Sequence, residues 1–212
     1  MIAEHGAWAV GGIFKPEAEE LRRIAYGLYG KIAANERSVA GLRPIYEEWG
    51  GVRFDMALPI VPQLSRTVLL VSQKFCSVVG GDWQQHMDVS FFRLLMPGHS
   101  VSWHCDAEAA TSFDLGVECV TLWMPLEKVG VGKAPSLQFV SRSHLAMRQR
   151  DDLRTVRHRS DDFVDGIEGE RFVPALNVGD VVMFDHFMLH RTEQRQGRKP
   201  RLSAELRFTK ML

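Results

Sequence analysis

A change of hydrophobic period near residue 80 constrains this chain more than any other feature. Before it, PEAEELRRIAYGLYGKI (16–32) carries Leu21, Ile24, Ala25 and Leu28 at helical spacing. Pro16 suits a first helical turn, and acids cluster there. A second helix is expected over 62–79, stopping before Gly80 and Gly81. Residues 33–60 between them read as irregular, punctuated by Gly41, Pro44, Gly50 and Gly51, with room for a short helix over 44–49. After residue 80 the helical period disappears. Short β-prone runs take its place: 87–96, 100–106, 116–126, 135–141, 169–176, 179–191 and 200–209. Pro97-Gly98, Gly130, Gly132, Gly179 and Gly197 punctuate them. Helices followed by a succession of strands predict a β-sandwich or barrel flanked by helices. The Arg- and Asp-rich segment 147–170 reads as a solvated loop.

A chain of 212 residues with 45% hydrophobic content can bury one core and is short for two. The expectation is a single domain over 1–212, with 1–80 as helical support and 86–209 as the β core. Lys plus Arg and Asp plus Glu each number 26, so the formal charge is zero. That balance argues against a nucleic-acid partner held through phosphates and favours a small-molecule site. Three cysteines, Cys76, Cys105 and Cys119, fit neither a zinc nor a disulfide spacing and suggest a reducing, cytoplasmic setting. The first residues lack the pattern of a signal peptide, and no run reaches the length of a membrane span.

Two HxD pairs carry potential metal chemistry: His86 with Asp88, and His104 with Asp106. On a strand, residues two apart share a face, so either pair could reach one ion. Each could equally be a hydrogen-bonded polar pair in a sheet. Two histidines and one carboxylate leave three positions of an octahedral iron open. The third ligand must then come from far along the chain, and His186 and His190 in DVVMFDHFMLHRT are the candidates. On a helix these two would form a zinc pair, but the Val-, Phe- and Met-rich run after Gly179-Asp180 reads as strand.

The order of three segments narrows the choice. MPGHSVSWHCDAE (96–108), VTLWMPLEKVGVGKAPSLQFVSRSH (120–144) and NVGDVVMFDHFMLHRTEQRQGRKPRLSAELRF (177–208) resemble the phytanoyl-CoA dioxygenase type of Fe(II)/2-oxoglutarate oxygenase. The likeness lies in a Pro-Gly turn before an HxD strand and a Trp-bearing strand. A Ser-His loop end follows, then Gly-Asp before a hydrophobic strand closing on His, with an Arg about ten residues later. It spans 86–209. One departure is SRSH (141–144), where the family usually has Pro-Gly-Ser-His. The resemblance implies a double-stranded β-helix, that is a jelly-roll or cupin-like barrel, behind N-terminal α-helices. It implies His104, Asp106 and His190 as iron ligands and leaves His86 and Asp88 structural.

The same resemblance implies 2-oxoglutarate and O₂ as co-substrates. An arginine fork matches the far carboxylate of 2-oxoglutarate with two hydrogen bonds. Arg201 fits the family's arginine, and Arg207, on the same strand face by period two, is its rival. Arg195 and Arg198 read as solvated charge in the turn between. Thr192 matches a hydroxyl near the co-substrate; Trp123 either packs beside it or belongs to the core, and Thr121 shares its face. Cys105 reads as a packed thiol turned away from the metal. The implied reaction hydroxylates an unactivated C–H of a small organic molecule, an amino-acid derivative or specialised metabolite, giving succinate and CO₂. Halogenating relatives lack the carboxylate ligand, so Asp106 favours hydroxylation, with desaturation or ring formation open. Segments 33–60 and 147–170 are the expected substrate lids. The competing readings are a cupin-like metalloenzyme that uses no 2-oxoglutarate and a non-catalytic ligand-binding barrel.

Overall fold

The computed structural model describes residues 2–109, 117–153, 158–194 and 199–210, without the side chains of 108 and 109. Arg195, Arg198 and Gly197 lie outside the described residues, as do 154–157 of the second expected lid. The helices are α1 (Ile2–His5), α2 (Lys15–Ala33), α3 (Arg43–Trp49), α4 (Phe54–Ala57), α5 (Gln63–Val79), α6 (Asp106–Ala109), α7 (Ser143–Met147) and α8 (Asp161–Asp165). The strands are β1 (Ala7–Val10), β2 (Gly51–Arg53), β3 (Gln84–Leu95), β4 (Glu118–Pro125), β5 (Leu137–Val140), β6 (Arg171–Phe172), β7 (Val181–Asp185), β8 (His190–Thr192) and β9 (Arg201–Lys210). No described helix is long and apolar enough to cross a membrane.

Six strands form one antiparallel sheet in the order β1-β7-β4-β9-β3-β2, and three form a smaller one, β6-β5-β8. This is the jelly-roll-like barrel with helical support that the change of period and the family resemblance imply. Alternation along the strands decides what each face holds. Phe92, Val120, Leu122, Met124, Val181, Met183, Leu202, Ala204, Leu206 and Phe208 point outward onto one large core cluster. The apolar stripes of α2 (Leu21, Ile24, Leu28) and α5 (Leu64, Val68, Val71, Phe75) close that face. Phe75 stacks on Phe208 with ring centroids 3.9 Å apart. The opposite face points into the barrel. There Trp123, Val182 and Phe184 of the large sheet pack against Leu137 and Phe139 of the small one.

Three expected strands differ from the sequence reading. Only Trp103 and His104 of 100–106 make bridge pairs, with Arg159 and His190, and Asp106 begins a helical turn whose second residue, Ala107, donates its N–H to His186 O at 2.8 Å. The run 179–191 is split: β7 belongs to the large sheet and β8 to the small one. Of 169–176 only Arg171 and Phe172 are strand. Two strands went unread: β1, too short and uniformly apolar to show a period, and β2, inside the stretch read as irregular.

Candidate metal centre

The site is built where the chain leaves the large sheet and enters the small one. Asp185, last in β7, accepts the Phe187 N–H on its carboxylate at 2.8 Å and the Met188 N–H on its carbonyl at 2.8 Å. These two bonds make a tight turn that sends the chain back across the barrel. Ser143, at the end of SRSH, accepts the Leu189 N–H at 2.9 Å. The Ser-His loop end thus fixes the residue immediately before His190. Backbone bonds between His104 and His190, 3.0 and 2.9 Å long, then hold the two histidines as an antiparallel pair.

Both imidazoles are oriented the same way. His104 Nδ1 lies 2.8 Å from Ser102 O, and His190 Nδ1 lies 2.9 Å from Met188 O. A carbonyl only accepts, so each Nδ1 carries the proton and each Nε2 presents a lone pair. The rings stand 4.2 Å apart, and Phe184 and Phe139 pack beside His190. Asp106 Oδ1 is 4.0 Å from His190 Nε2. Ligand atoms of His104, Asp106 and His190 all lie within 4.8 Å of one another, and they make up the one such cluster among the described residues.

Asp106 is held from behind. Thr121 Oγ1 donates to Oδ2 at 2.5 Å, and Arg207 Nη2 donates to Oδ1 at 2.9 Å. Arg207 also donates from Nη1 to Val89 O. Burial by itself would raise the Asp106 carboxyl, but Arg207, the two imidazoles and Thr121 outweigh it and hold it well below the usual range. Close packing disfavours the charged form of His104, with His190 adding to the effect, and pushes its pKa down to about 3. Burial lowers His190 as well. The three groups are therefore in the protonation states that a divalent cation requires: two neutral imidazoles and a carboxylate. Arg207, the rival for the co-substrate, is committed to Asp106.

Arg201 is placed differently. It is only 1% exposed, its Nη1 donates to Ser136 O at 3.2 Å, and its Nε has no partner. Trp123, whose ring centroid is 5.6 Å from the guanidinium carbon, has an unpartnered Nε1. Ser203, two residues along β9, has an unpartnered Oγ. Buried donors without acceptors are costly, and three in one place form a cradle for an anion. Burial lowers Arg201 to about 10, so it keeps its charge at neutral pH. Thr192 is buried on β8, and its hydroxyl accepts the Val101 N–H at 3.0 Å, tying the approach to His104 onto β8.

The remaining candidates lie elsewhere. His86 is bonded to Thr209 Oγ1 at 2.6 Å beside a β3 irregularity, and Asp88 is exposed. His186 Nδ1 faces Cys119 O at 3.1 Å, outside the cluster. Cys105 is buried in a separate cluster with Trp103, Val140 and Leu189. What sequence reasoning missed is the support behind Asp106. From the sequence Arg207 reads as the rival co-substrate arginine and Thr121 as sharing the face of Trp123, and pairing with a residue from another loop leaves no local signal.

The sequence profile of the phytanoyl-CoA dioxygenase (PhyH) family matches residues 5–203. The chain belongs to the phytanoyl-CoA dioxygenase family. A search of curated proteins gives no significant match. Solved structures share the fold at low identity. AviO1 from Streptomyces viridochromogenes Tue57 is 18% identical with a TM-score of 0.70, over 99% of this chain and 91% of that one. EctD from S. alaskensis, crystallised with 2-oxoglutarate and 5-hydroxyectoine, is 18% identical with a TM-score of 0.69, over 98% of this chain and 73% of its own. SnoK, a non-heme α-ketoglutarate-dependent carbocyclase from nogalamycin biosynthesis, is 18% identical with a TM-score of 0.68, over 98% and 81%. As a member of the phytanoyl-CoA dioxygenase family the chain is an iron(II)- and 2-oxoglutarate-dependent oxygenase. The His-Asp-His cluster and the anion cradle fit those two cofactors.

Proposed function

We propose that this chain, acting as a single domain, hydroxylates a small organic molecule, an amino-acid derivative or specialised metabolite, with 2-oxoglutarate and O₂. His104, Asp106 and His190 would hold the iron through two Nε2 atoms and a carboxylate oxygen, a ligand set suited to an oxygen-activating iron. The far carboxylate of 2-oxoglutarate sits on Arg201, with Trp123 and Thr192 beside it. The observation that carries the reading is a two-histidine, one-carboxylate cluster in the same barrel as a sealed arginine whose Nε lacks an acceptor.

The bound iron and 2-oxoglutarate supply the oxidising power, with succinate and CO₂ as by-products. The chain's own residues do the rest. The Nδ1–H bonds to Ser102 O and Met188 O keep both Nε2 atoms aimed at the metal. Arg207 and Thr121 keep Asp106 ionised and fixed, so the position that a halide would need is filled, which favours hydroxylation. Phe139 and Phe184 make one wall apolar and restrict water beside His190. SnoK and a second neighbour, described as an epimerase, are α-ketoglutarate-dependent enzymes with other outcomes.

Oxygen-dependent conversion of 2-oxoglutarate to succinate should require added iron and vanish in His190→Ala. Arg201→Gln should raise the KM for 2-oxoglutarate by roughly tenfold or more, the loss of a charge-assisted pair. An unchanged KM in that variant would remove the co-substrate from the Arg201 cradle.

A further inference from the structure

A second inward-facing arginine is used by none of this chemistry. Arg93 lies on β3 opposite Ser203 of β9, so it shares the barrel face of Arg201, Glu205 and Arg207. Its Nε is sealed from solvent and has no hydrogen-bond partner, the nearest acid being Glu205 Oε1 at a loose 3.4 Å. The side chain as a whole is 15% exposed, because unlike Arg201 it reaches an open cleft. That cleft, of about 540 Å³, is lined among others by Tyr46, Trp49, Arg93, Met96, Ser102 and His158. It opens beside the metal cluster, since Ser102 is the carbonyl partner of His104 and the His158 ring lies 6.3 Å from the His104 ring.

The guanidinium lies against one side of an aromatic pair. Its carbon is 5.1 Å from the Trp49 ring centroid and 4.9 Å from that of Phe91, and the two rings meet edge to face at 4.7 Å. Both rings thus lie to one side of the guanidinium, whose five N–H groups point outward in its plane. That N–H edge matches the geometry of a planar carboxylate.

Formal charge supports an anionic ligand. The inward-facing residues of β3 and β9, with Asp106, bring three cations (Arg93, Arg201 and Arg207) against two anions (Asp106 and Glu205). Glu205 acts on both Arg93 and Arg201. A divalent metal and dianionic 2-oxoglutarate cancel each other and leave a single excess positive charge on this inner face, while Glu47 and Glu48 line the same cleft as Arg93. One further carboxylate neutralises it, and burying an uncompensated charge is otherwise unfavourable.

We infer that Arg93, packed against the Trp49–Phe91 pair, is the substrate anchor, and that the substrate is a carboxylic acid with an apolar or aromatic body. The carboxylate takes the guanidinium edge, and the body lies along Trp49, Tyr46 and Met96 toward His104. This rests on the assignment of Arg201 to 2-oxoglutarate, and it gives the two arginines separate ligands.

The test uses the zinc-loaded protein with 2-oxoglutarate, which binds without turnover. Ligand-detected NMR would compare matched probes: phenylacetate, 3-phenylpropionate and N-acetylphenylalanine against their primary amides. Acids should bind roughly tenfold or more tightly than the amides, as a charge-assisted fork requires. Arg93→Gln should abolish that difference and leave 2-oxoglutarate affinity within about twofold, the scatter expected for an independent site. Arg201→Gln should do the reverse. Acids and amides binding alike in the wild type would overturn the proposal. So would an acid preference that survives Arg93→Gln, or loss of 2-oxoglutarate in that variant. If Arg93→Gln does not fold, Arg93→Lys is read instead: it keeps the charge but not the planar fork, so an acid preference undiminished in it contradicts the inference. Failure of the wild type to bind 2-oxoglutarate in the same samples counts against the co-substrate assignment and is visible separately.

Discussion

Replacing Arg207 by Met isolates the support of Asp106. The pair is buried, with side chains 11% and 7% exposed and a 2.9 Å charge-assisted bond, and the same guanidinium also satisfies Val89 O. Met keeps much of the volume and removes the charge, stranding the Asp106 carboxylate in the barrel. Breaking a buried pair from one side costs about 3–5 kcal/mol, and the residual exposure of Arg207 argues for the lower end. For a chain of this size about 3 kcal/mol corresponds to a fall in Tm of roughly 6–12 °C. A bound divalent ion supplies the missing positive charge, so the deficit should shrink when the site is saturated with Mn(II) or Zn(II). Metal affinity itself should fall by roughly 10–100-fold, the usual effect of removing a group behind a ligand. The assay is thermal unfolding of wild type, Arg207→Met, Asp106→Asn and the double variant, each with and without metal. The double variant should be less impaired than the two singles added together, by about 1–3 kcal/mol. Additive losses, or a single-variant Tm within a degree of wild type, would refute the coupling on which this account of Asp106 depends.

Other consequences follow from the same geometry. The His104 pKa is lowered from 6.5 to about 3. Above 6.5 the ring is neutral in both folded and unfolded chains; below it only the unfolded chain gains the proton, so apoprotein stability should decline from pH 6.5 toward 3. Asp106 is depressed too, so its contribution is intact above the ordinary Asp range near 4 and fades as the pH falls below it. Chemical denaturation of wild type and His104→Gln at pH 7.5, 5.0 and 4.0 checks this, and parallel pH curves for the two proteins would contradict it. Ser143→Ala removes the acceptor for the Leu189 N–H, so it should cost about 1–3 kcal/mol of stability and weaken metal binding through a misplaced His190; calorimetric metal titration reads the second effect. His86→Ala and Asp88→Asn should leave metal affinity unchanged, and a loss of affinity in either would reopen the choice between the two HxD pairs.

The parts of this protein that were legible in its sequence are the regular elements. The helices at 15–33 and 63–79 showed their apolar stripes, and the long strands β3, β4 and β9 showed as β-prone runs bounded by turn residues. His104, Asp106, His190 and Arg201 were legible through spacing and segment order rather than period. The strand argument that paired His104 with Asp106 is not how the chain brings them together: Asp106 begins a helical turn, and the backbone pairing of His104 with His190 sets the geometry. The break between β7 and β8 was hidden because DVVMFDHFMLHR is apolar throughout, while its turn depends on bonds to the Asp185 carboxylate and the Ser143 hydroxyl. Arg93 gave no signal at all. Its meaning comes from Trp49, at the end of the short helix that the sequence allowed over 44–49, and from a cleft that local sequence does not encode.

If the His104–Asp106–His190 cluster holds iron and presents it to 2-oxoglutarate, the complex should absorb visible light. Mixing apoprotein with Fe(II) and 2-oxoglutarate under anaerobic conditions and recording the visible spectrum tests this directly. The expected result is a weak charge-transfer band in the wild type, from 2-oxoglutarate chelated to the metal, and no band in His104→Ala. Wild-type protein that binds the metal but shows no band, or a band unchanged in His104→Ala, would contradict it.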